Sequence, residues 1–213
     1  MKVFDGLYAF LWQDYRENNC NTYLIDGDTK VLVDPGHRHL FPKIRAELEE
    51  IGITPPLLNI VAITHGHRDH VGAAGECCQP ALLAMNSEEY RFSQKRFGAE
   101  LNIPAPDSSL EEGLFTAGEH QFQVLITPGH SPASVCLYWP LRKALFAGDV
   151  VFQDSIGRVD LPGGSGKLLK ESILRIELLD VEYLLPGHGA PIVGKEKVRA
   201  NFQQIKDYWF DYL

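Results

Sequence analysis

The segment Thr64-His65-Gly66-His67-Arg68-Asp69-His70 places three histidines and an aspartate within six consecutive positions. Imidazole and carboxylate together ligate divalent cations of intermediate softness, so the chemistry this run can do is metal binding. In an extended chain residues two apart point the same way, which lets His65 and His67 grip one ion together. A helix starting near Arg68 would turn Asp69 and His70 toward a neighbouring position, so the spacing suits two adjacent ions better than one. Matching groups stand downstream: His130 in Thr127-Pro128-Gly129-His130-Ser131, Asp149 in Ala147-Gly148-Asp149-Val150, and His188 in Pro186-Gly187-His188-Gly189. Each follows an apolar run, and the glycine beside it lets the backbone approach closely. Ligands presented from turns along one edge of a sheet are what an α/β scaffold offers.

The elements that must position these groups are readable from periodicity. Residues 3–11, 21–25 and 30–33 are apolar and aromatic and read as strands, with Asp26-Gly27-Asp28 turning between the last two. Pro42 opens a helix whose apolar residues Phe41, Ile44, Leu48 and Ile51 recur at helical spacing, and Gly52 stops it. Residues 59–64 are a short β-branched run, a buried strand leading directly into His65. Residues 86–97 read as a helix capped by Asn86 or Ser87, and the Pro- and Ser-containing stretch 98–113 as a loop that could serve as a lid. Strands follow at 121–127, 134–139 and 143–147, a helix at 167–179 and a short strand at 183–185. In a last helix, 195–213, Val198, Phe202, Ile205 and Trp209 form one stripe for docking on the core. Strands grouped with a few helices outside them predict a layered α/β sandwich, with residues 1–213 as a single domain.

Composition narrows the function classes. The chain is 45% hydrophobic and 23% charged over 213 residues, ordinary for a globular protein whose core needs no disulfides. Its net charge of −8 argues against nucleic acid as a partner and against anchoring on an anionic membrane. Asp5 and Gly6 interrupt the N-terminus where a signal peptide would be apolar, and no apolar run approaches the roughly 20 residues of a membrane span. A cytoplasmic location and a small-molecule substrate are the expectation, while the sequence sets no oligomeric state. Cys20, Cys77, Cys78 and Cys136 read as reduced thiols, with Cys77 and Cys78 packing at the end of the helix after the histidine run.

The ordered set Asp34-Pro35-Gly36, His65 to His70, His130, Asp149 and His188 resembles that of the metallo-β-lactamase superfamily over nearly the whole chain. The resemblance implies an α/β fold of four layers, an αββα sandwich with a metal site between the sheet edges. It implies two divalent metal ions, the first held by His65, His67 and His130, the second by Asp69, His70 and His188, with Asp149 bridging them. Asp34 would orient a ligand histidine from behind, the alternative being a turn-forming aspartate before Pro35-Gly36. Thr127-Pro128-Gly129-His130-Ser131-Pro132-Ala133-Ser134 and Phe146-Ala147-Gly148-Asp149-Val150-Val151-Phe152 look like the glyoxalase II, or hydroxyacylglutathione hydrolase, branch. Ile156-Gly157-Arg158-Val159-Asp160-Leu161-Pro162-Gly163-Gly164 is similar to a stretch shared by that branch and the persulfide dioxygenases. True metallo-β-lactamases often place a cysteine among the second-site ligands, and none of the four cysteines here falls in a ligand motif. The zinc-dependent nucleases are disfavoured by the charge of −8.

What the resemblance implies chemically is a metal-dependent hydrolase in which a metal-bridging hydroxide attacks a thioester or related ester, with Asp69 holding or shuttling the proton. Zinc is the favoured ion, iron and manganese being compatible with the same donors. The rival is a persulfide dioxygenase with one iron on His65, His130 and Asp149; a lactonase is a third reading. Arg158 and Asp160 read as a pair bracing the loop after Asp149, with substrate contact as the alternative. His37 and His39 read as a solvated loop rather than the pocket mouth, His120 as a surface residue, and Tyr90, Phe92 and Phe97 as core. Longer glyoxalase II enzymes append a helical segment that helps hold glutathione. Here 25 residues follow His188, most of them in one helix, so that element is expected to be absent or reduced.

Overall fold

The first half of the chain builds one sheet. β1 (Lys2–Phe4) and β2 (Leu7–Phe10) form a hairpin, β3 (Thr22–Ile25) and β4 (Val31–Val33) form another, and α1 (Phe41–Glu50) carries the chain to β5 (Ile60–Ile63). The short helices α2 (Arg68–Val71) and α3 (Ala74–Cys77) lead to β6 (Leu82–Met85), and α4 (Ser87–Phe97) follows. The strands lie in sequential order, antiparallel from β1 to β4 and parallel from β4 to β6. The second half repeats this plan with β7 (Gly113–Ala117), β8 (His120–Ile126), β9 (Val135–Trp139) and β10 (Ala144–Gly148) as an antiparallel run. A small ribbon of β11 (Val151–Phe152) and β12 (Ser155–Ile156) precedes α5 (Gly166–Ile176). The chain then enters β13 (Tyr183–Pro186), parallel to β10, and ends through β14 (Ile192–Val193) and α6 (Lys195–Trp209), giving the order β14-β13-β10-β9-β8-β7. This computed structural model describes residues 1–14 and 16–213, the side chain of Ala99 excepted.

Strand alternation turns the two sheets into four layers. In β4, Val31 and Val33 face the opposing sheet while Leu32 faces α1; in β10, Ala144 and Phe146 face inward while Leu145 and Ala147 face α5 and α6. The central strands β3, β4, β9 and β10 are buried on both faces and read as largely unbroken apolar runs, whereas β7 and the start of β8 alternate between buried and exposed residues. One core therefore lies between the sheets around Tyr23, Phe122, Trp139 and Phe146. A second lies under α1 and α3, where Phe41, Ile44 and Leu48 pack, and a third under α5 and α6 around Leu169, Ile173, Phe202 and Ile205. Each such aliphatic or aromatic side chain removed from water contributes about 1.5–3 kcal/mol toward holding its layer in place.

Several expectations are corrected. Residues 3–11 are a hairpin rather than one strand, because Asp5 and Gly6 turn the chain with Gly6 at φ +88°. Ile51 caps α1 and is 37% exposed, so the buried stripe ends at Leu48. Within the 98–113 stretch residues 107–110 are fixed to the first sheet: Ser108 O accepts from Met85 N at 3.1 Å, Asp107 N donates to Leu83 O at 2.9 Å, and Leu110 is fully buried. His120 is buried, its ring between Thr29 O at 2.9 Å and the edge of Trp139. All four cysteines are free. Among the described residues no helix is long and apolar enough to cross a membrane.

Candidate metal centre

The loops that leave the carboxyl ends of β4, β5, β8, β10 and β13 meet at one edge of the sandwich, and they carry Asp34, His65 to His70, His130, Asp149 and His188. Carboxyl ends of parallel strands are where open α/β sheets gather their ligand groups. His67 precedes α2 in extended conformation at φ −74° and ψ 151°, so the helix begins one residue later and swings Asp69 and His70 away from His65 and His67.

Seven side chains converge in three overlapping groups, His65–His67–His130, His65–His70–Asp149 and Asp69–His70–His188, with ligand atoms within 4.8 Å of one another in each. In the first, His67 Nδ1 lies 3.1 Å from His65 Nε2 and 2.8 Å from His130 Nε2. In the last, His188 Nε2 lies 3.4 Å from His70 Nε2 and 3.3 Å from Asp69 Oδ2. Asp149 stands between them: its Oδ2 is 3.4 Å from both His130 Nε2 and His188 Nε2. Donors at about 2.0–2.1 Å from a tetrahedral ion sit roughly 3.4 Å apart, so these separations fit divalent cations. Asp149 Oδ1 is buried and accepts no hydrogen bond among the described residues, a lone pair aimed into the cluster. The donor set therefore fits a pair of ions sharing Asp149.

The protonation states follow from burial and charge. Burial pushes His65 well below the ordinary histidine range and His67 down to about 4, neighbouring histidines adding to the effect, so both rings are neutral donors. Burial opposes ionisation of Asp149 and Asp69, yet His70 and His188 outweigh it and hold both carboxylates below their usual range. Conversely burial would lower His188, but Asp149 and Asp69 raise it to about 9, and Asp149 and Asp34 lift His70 well above normal.

Buried supports fix these rings. Asp34 is 2% exposed and accepts from Thr64 N at 2.8 Å, Thr64 Oγ1 at 2.6 Å and His70 Nδ1 at 2.9 Å, which leaves His70 Nε2 facing the cluster. His130 Nδ1 donates to Arg158 O at 2.8 Å, turning Nε2 inward. The Arg158 side chain makes a two-pronged pair with Asp160, at 3.0 and 2.8 Å, both exposed, in the loop whose carbonyl meets His130, and Arg158 also lines the cleft. Sequence reasoning missed the run Asn18-Asn19-Cys20-Asn21. Asn18 Nδ2 donates to Asp69 Oδ2 at 2.6 Å, Asn19 Oδ1 accepts from His37 N at 2.8 Å, and Asn21 Nδ2 donates to Pro186 O and Gly189 O around His188. Three amides in four positions just before a strand were the available signal.

The cluster floors a cleft of about 470 Å³. Its walls include Phe97, Phe152 and Leu161, with Arg68, Arg96 and Arg158 toward the rim. Phe97 thus lines the cleft rather than the core, its ring covered by the Arg68 guanidinium at 4.7 Å. His37 also lines the cleft, whereas His39 is exposed and pairs with Glu17 at 2.5 Å. Cys77 is buried and Cys78 half-buried.

Two six-stranded sheets flanked by helices, with His/Asp groups able to hold metal at their shared edge, define a mixed α/β fold of the metallo-β-lactamase type. Residues 15–188 match the metallo-beta-lactamase superfamily, and the chain belongs to it. YqgX of Bacillus subtilis, described as a probable metallo-hydrolase, is 33% identical over 180 residues, covering 78% of this chain and 83% of its own. The hydroxyacylglutathione hydrolase GloC of Haemophilus influenzae is 31% identical over 205 residues, 87% of this chain and 92% of its own. A crystal structure of TTHA1623 in a di-iron-bound form is 33% identical with a TM-score of 0.71, covering 85% of this chain and 93% of that one.

Proposed function

We propose that the protein is a metal-dependent hydrolase cleaving a thioester, of the hydroxyacyl-thiol kind, or a related ester. The observation that carries this reading is Asp149 Oδ2, 3.4 Å from a histidine of each outer group, so that one carboxylate joins two complete donor sets. His65, His67 and His130 would hold one ion, Asp69, His70 and His188 the other, with Asp149 shared. Zinc is the ion proposed; iron is the alternative that the di-iron form of TTHA1623 favours. When bound, a pair of divalent cations lowers the pKa of a shared water and polarises a carbonyl oxygen.

The chain's own residues do the rest. Asp69, anchored by Asn18 and held ionised, presents a carboxylate in the cleft that can accept and hand on a proton. Phe97, Phe152 and Leu161 exclude water from the acyl portion, and the arginines at the rim suit a substrate with anionic character. A small molecule in the cytoplasm, with neither nucleic acid nor membrane as partner, completes the reading. GloC's similarity supports the thioester. A dioxygenase with one iron on His65, His130 and Asp149 would leave Asp69, His70 and His188 without a ligand role.

Metal content per chain, thioester hydrolysis and persulfide-dependent oxygen uptake, measured on one preparation, test this. Two ions and hydrolysis are expected, and Asp149→Ala should lose at least one ion and cut turnover by about 100-fold or more. One iron with persulfide-dependent oxygen uptake and no hydrolysis would replace the hydrolase with the dioxygenase. Full metal content and normal turnover in Asp149→Ala would remove the bridging role.

A further inference from the structure

Among the described residues Glu89 is the one fully buried carboxylate that the proposed chemistry does not use. It sits in the first turn of α4, where the Asn86 side chain caps the helix by accepting from Glu88 N and Glu89 N. Its two oxygens are spent on two different loops. Oε1 accepts from Gly66 N at 3.1 Å, and Oε2 accepts from Ala133 N at 2.8 Å. Gly66 is the residue between His65 and His67, and Ala133 follows His130 by three positions. One turn further along α4, Ser93 Oγ donates to Gly66 O at 3.1 Å, so the helix holds the Gly66 backbone by both its N–H and its C=O. The fit leaves no room for a side chain: a Cβ on Gly66 would lie 1.6 Å from Ser93 Oγ.

We propose that Glu89, assisted by Ser93, is a positioning residue that locks His65, His67 and His130 into one donor set by clamping the two loops that carry them. This rests on the metal-centre reading above and deepens it. Glu89 bonds to Gly66, between His65 and His67, and to Ala133 beyond His130, and makes no bond to Asp69, His70 or His188, so the clamp acts most directly on one ion position. A carboxylate is required because it alone offers an acceptor to each of two amides. Glutamine keeps the length but turns an NH2 toward one of the two N–H groups, which leaves that amide buried and unpaired. The loop so released carries either the His65–His67 pair or His130, and the donor geometry spreads.

The test is titration of metal-free protein with cobalt(II) alone, reading affinity and the visible ligand-field spectrum for wild type, Glu89→Gln and Ser93→Ala. Wild type is expected to take up two ions with two resolvable affinities. In Glu89→Gln one of them should weaken by about 10- to 100-fold with a shifted spectrum, while the other keeps its band. Ser93→Ala removes the contact to the Gly66 carbonyl, and with it the 2.9 Å contact of Ser93 Oγ to Glu89 O within the same helix, while leaving both Glu89 carboxylate bonds in place; it should move the same ion in the same direction by less, and it decides the matter if Glu89→Gln fails to fold. Variants that melt at lower temperature yet bind cobalt with unchanged affinity and spectrum would overturn the clamp and leave the metal centre standing. A wild-type protein that takes up no cobalt would overturn both.

Discussion

At the scale of single residues the centre is an electrostatic device even before an ion enters it. His188, raised to about 9 by Asp149 and Asp69 against the opposing effect of burial, is protonated in the metal-free protein at neutral pH, and His70 is held up in the same way. In an unfolded chain both would titrate near about 6.5. Between about 6.5 and 9 the folded state therefore binds more protons than the unfolded one, and stability falls as pH rises through that window. The contribution is fully present below the unfolded pKa and is lost as His188 deprotonates. A metal ion needs both rings neutral and displaces those protons. The metal-free protein is thus expected to melt at progressively lower temperature from pH 7 to about 9.5, and loading at pH 7 in weak buffer to release protons. Calorimetry in a pH series checks this; a flat melting temperature in the metal-free protein would refute the His–carboxylate pairing.

At the scale of elements, α6 does more than cover a sheet. Its buried Asn201 donates through Nδ2 to Phe152 O at 3.0 Å and accepts at Oδ1 from Asp154 N at 2.7 Å, while Trp209 Nε1 donates to Asp154 O at 3.0 Å. Phe152 lies edge-on to His188 with ring centroids 5.8 Å apart, so the helix holds a wall of the cleft. Asn201→Ala strands two backbone groups and should cost about 1–3 kcal/mol in a urea melt. It should also raise KM more than it lowers kcat; an unchanged KM would detach α6 from the cleft. The stripe of Val198, Phe202, Ile205 and Trp209 made α6 legible, as Ile44 and Leu48 did for α1, because a buried face repeats at the helical period. β6 was not legible: four apolar residues, Leu82 to Met85, suit a strand or a buried helical turn equally. The ligand run stood out by residue type alone, whereas Glu89, Asn18 and Asn21 act on partners 23, 51 and 165 positions away, which no local spacing encodes.

At the scale of the whole molecule the two sheets come from separate halves of the chain, and every group of candidate ligands draws on both. His65 and His67 meet His130; His70 and His65 meet Asp149; Asp69 and His70 meet His188. Between the halves at this edge the protein relies on a few polar ties, such as Val135 N to Thr64 O at 2.8 Å and Asn21 N to Gly187 O at 2.6 Å. Bound ions would therefore act as staples between the sheets as well as reagents. An ion present at 100 times its dissociation constant stabilises the folded state by about 2.7 kcal/mol. For a chain of this size each kcal/mol moves the melting temperature by about 2–4 °C, so removal of metal by a chelator should lower it by about 5–10 °C. Because the staples join the halves, the amides that lose hydrogen-exchange protection should lie at the carboxyl ends of both parallel pairs, β4–β5 in one sheet and β10–β13 in the other. Loss of protection confined to one sheet would mean that the ions are held by one half of the chain alone, against the geometry of all three groups.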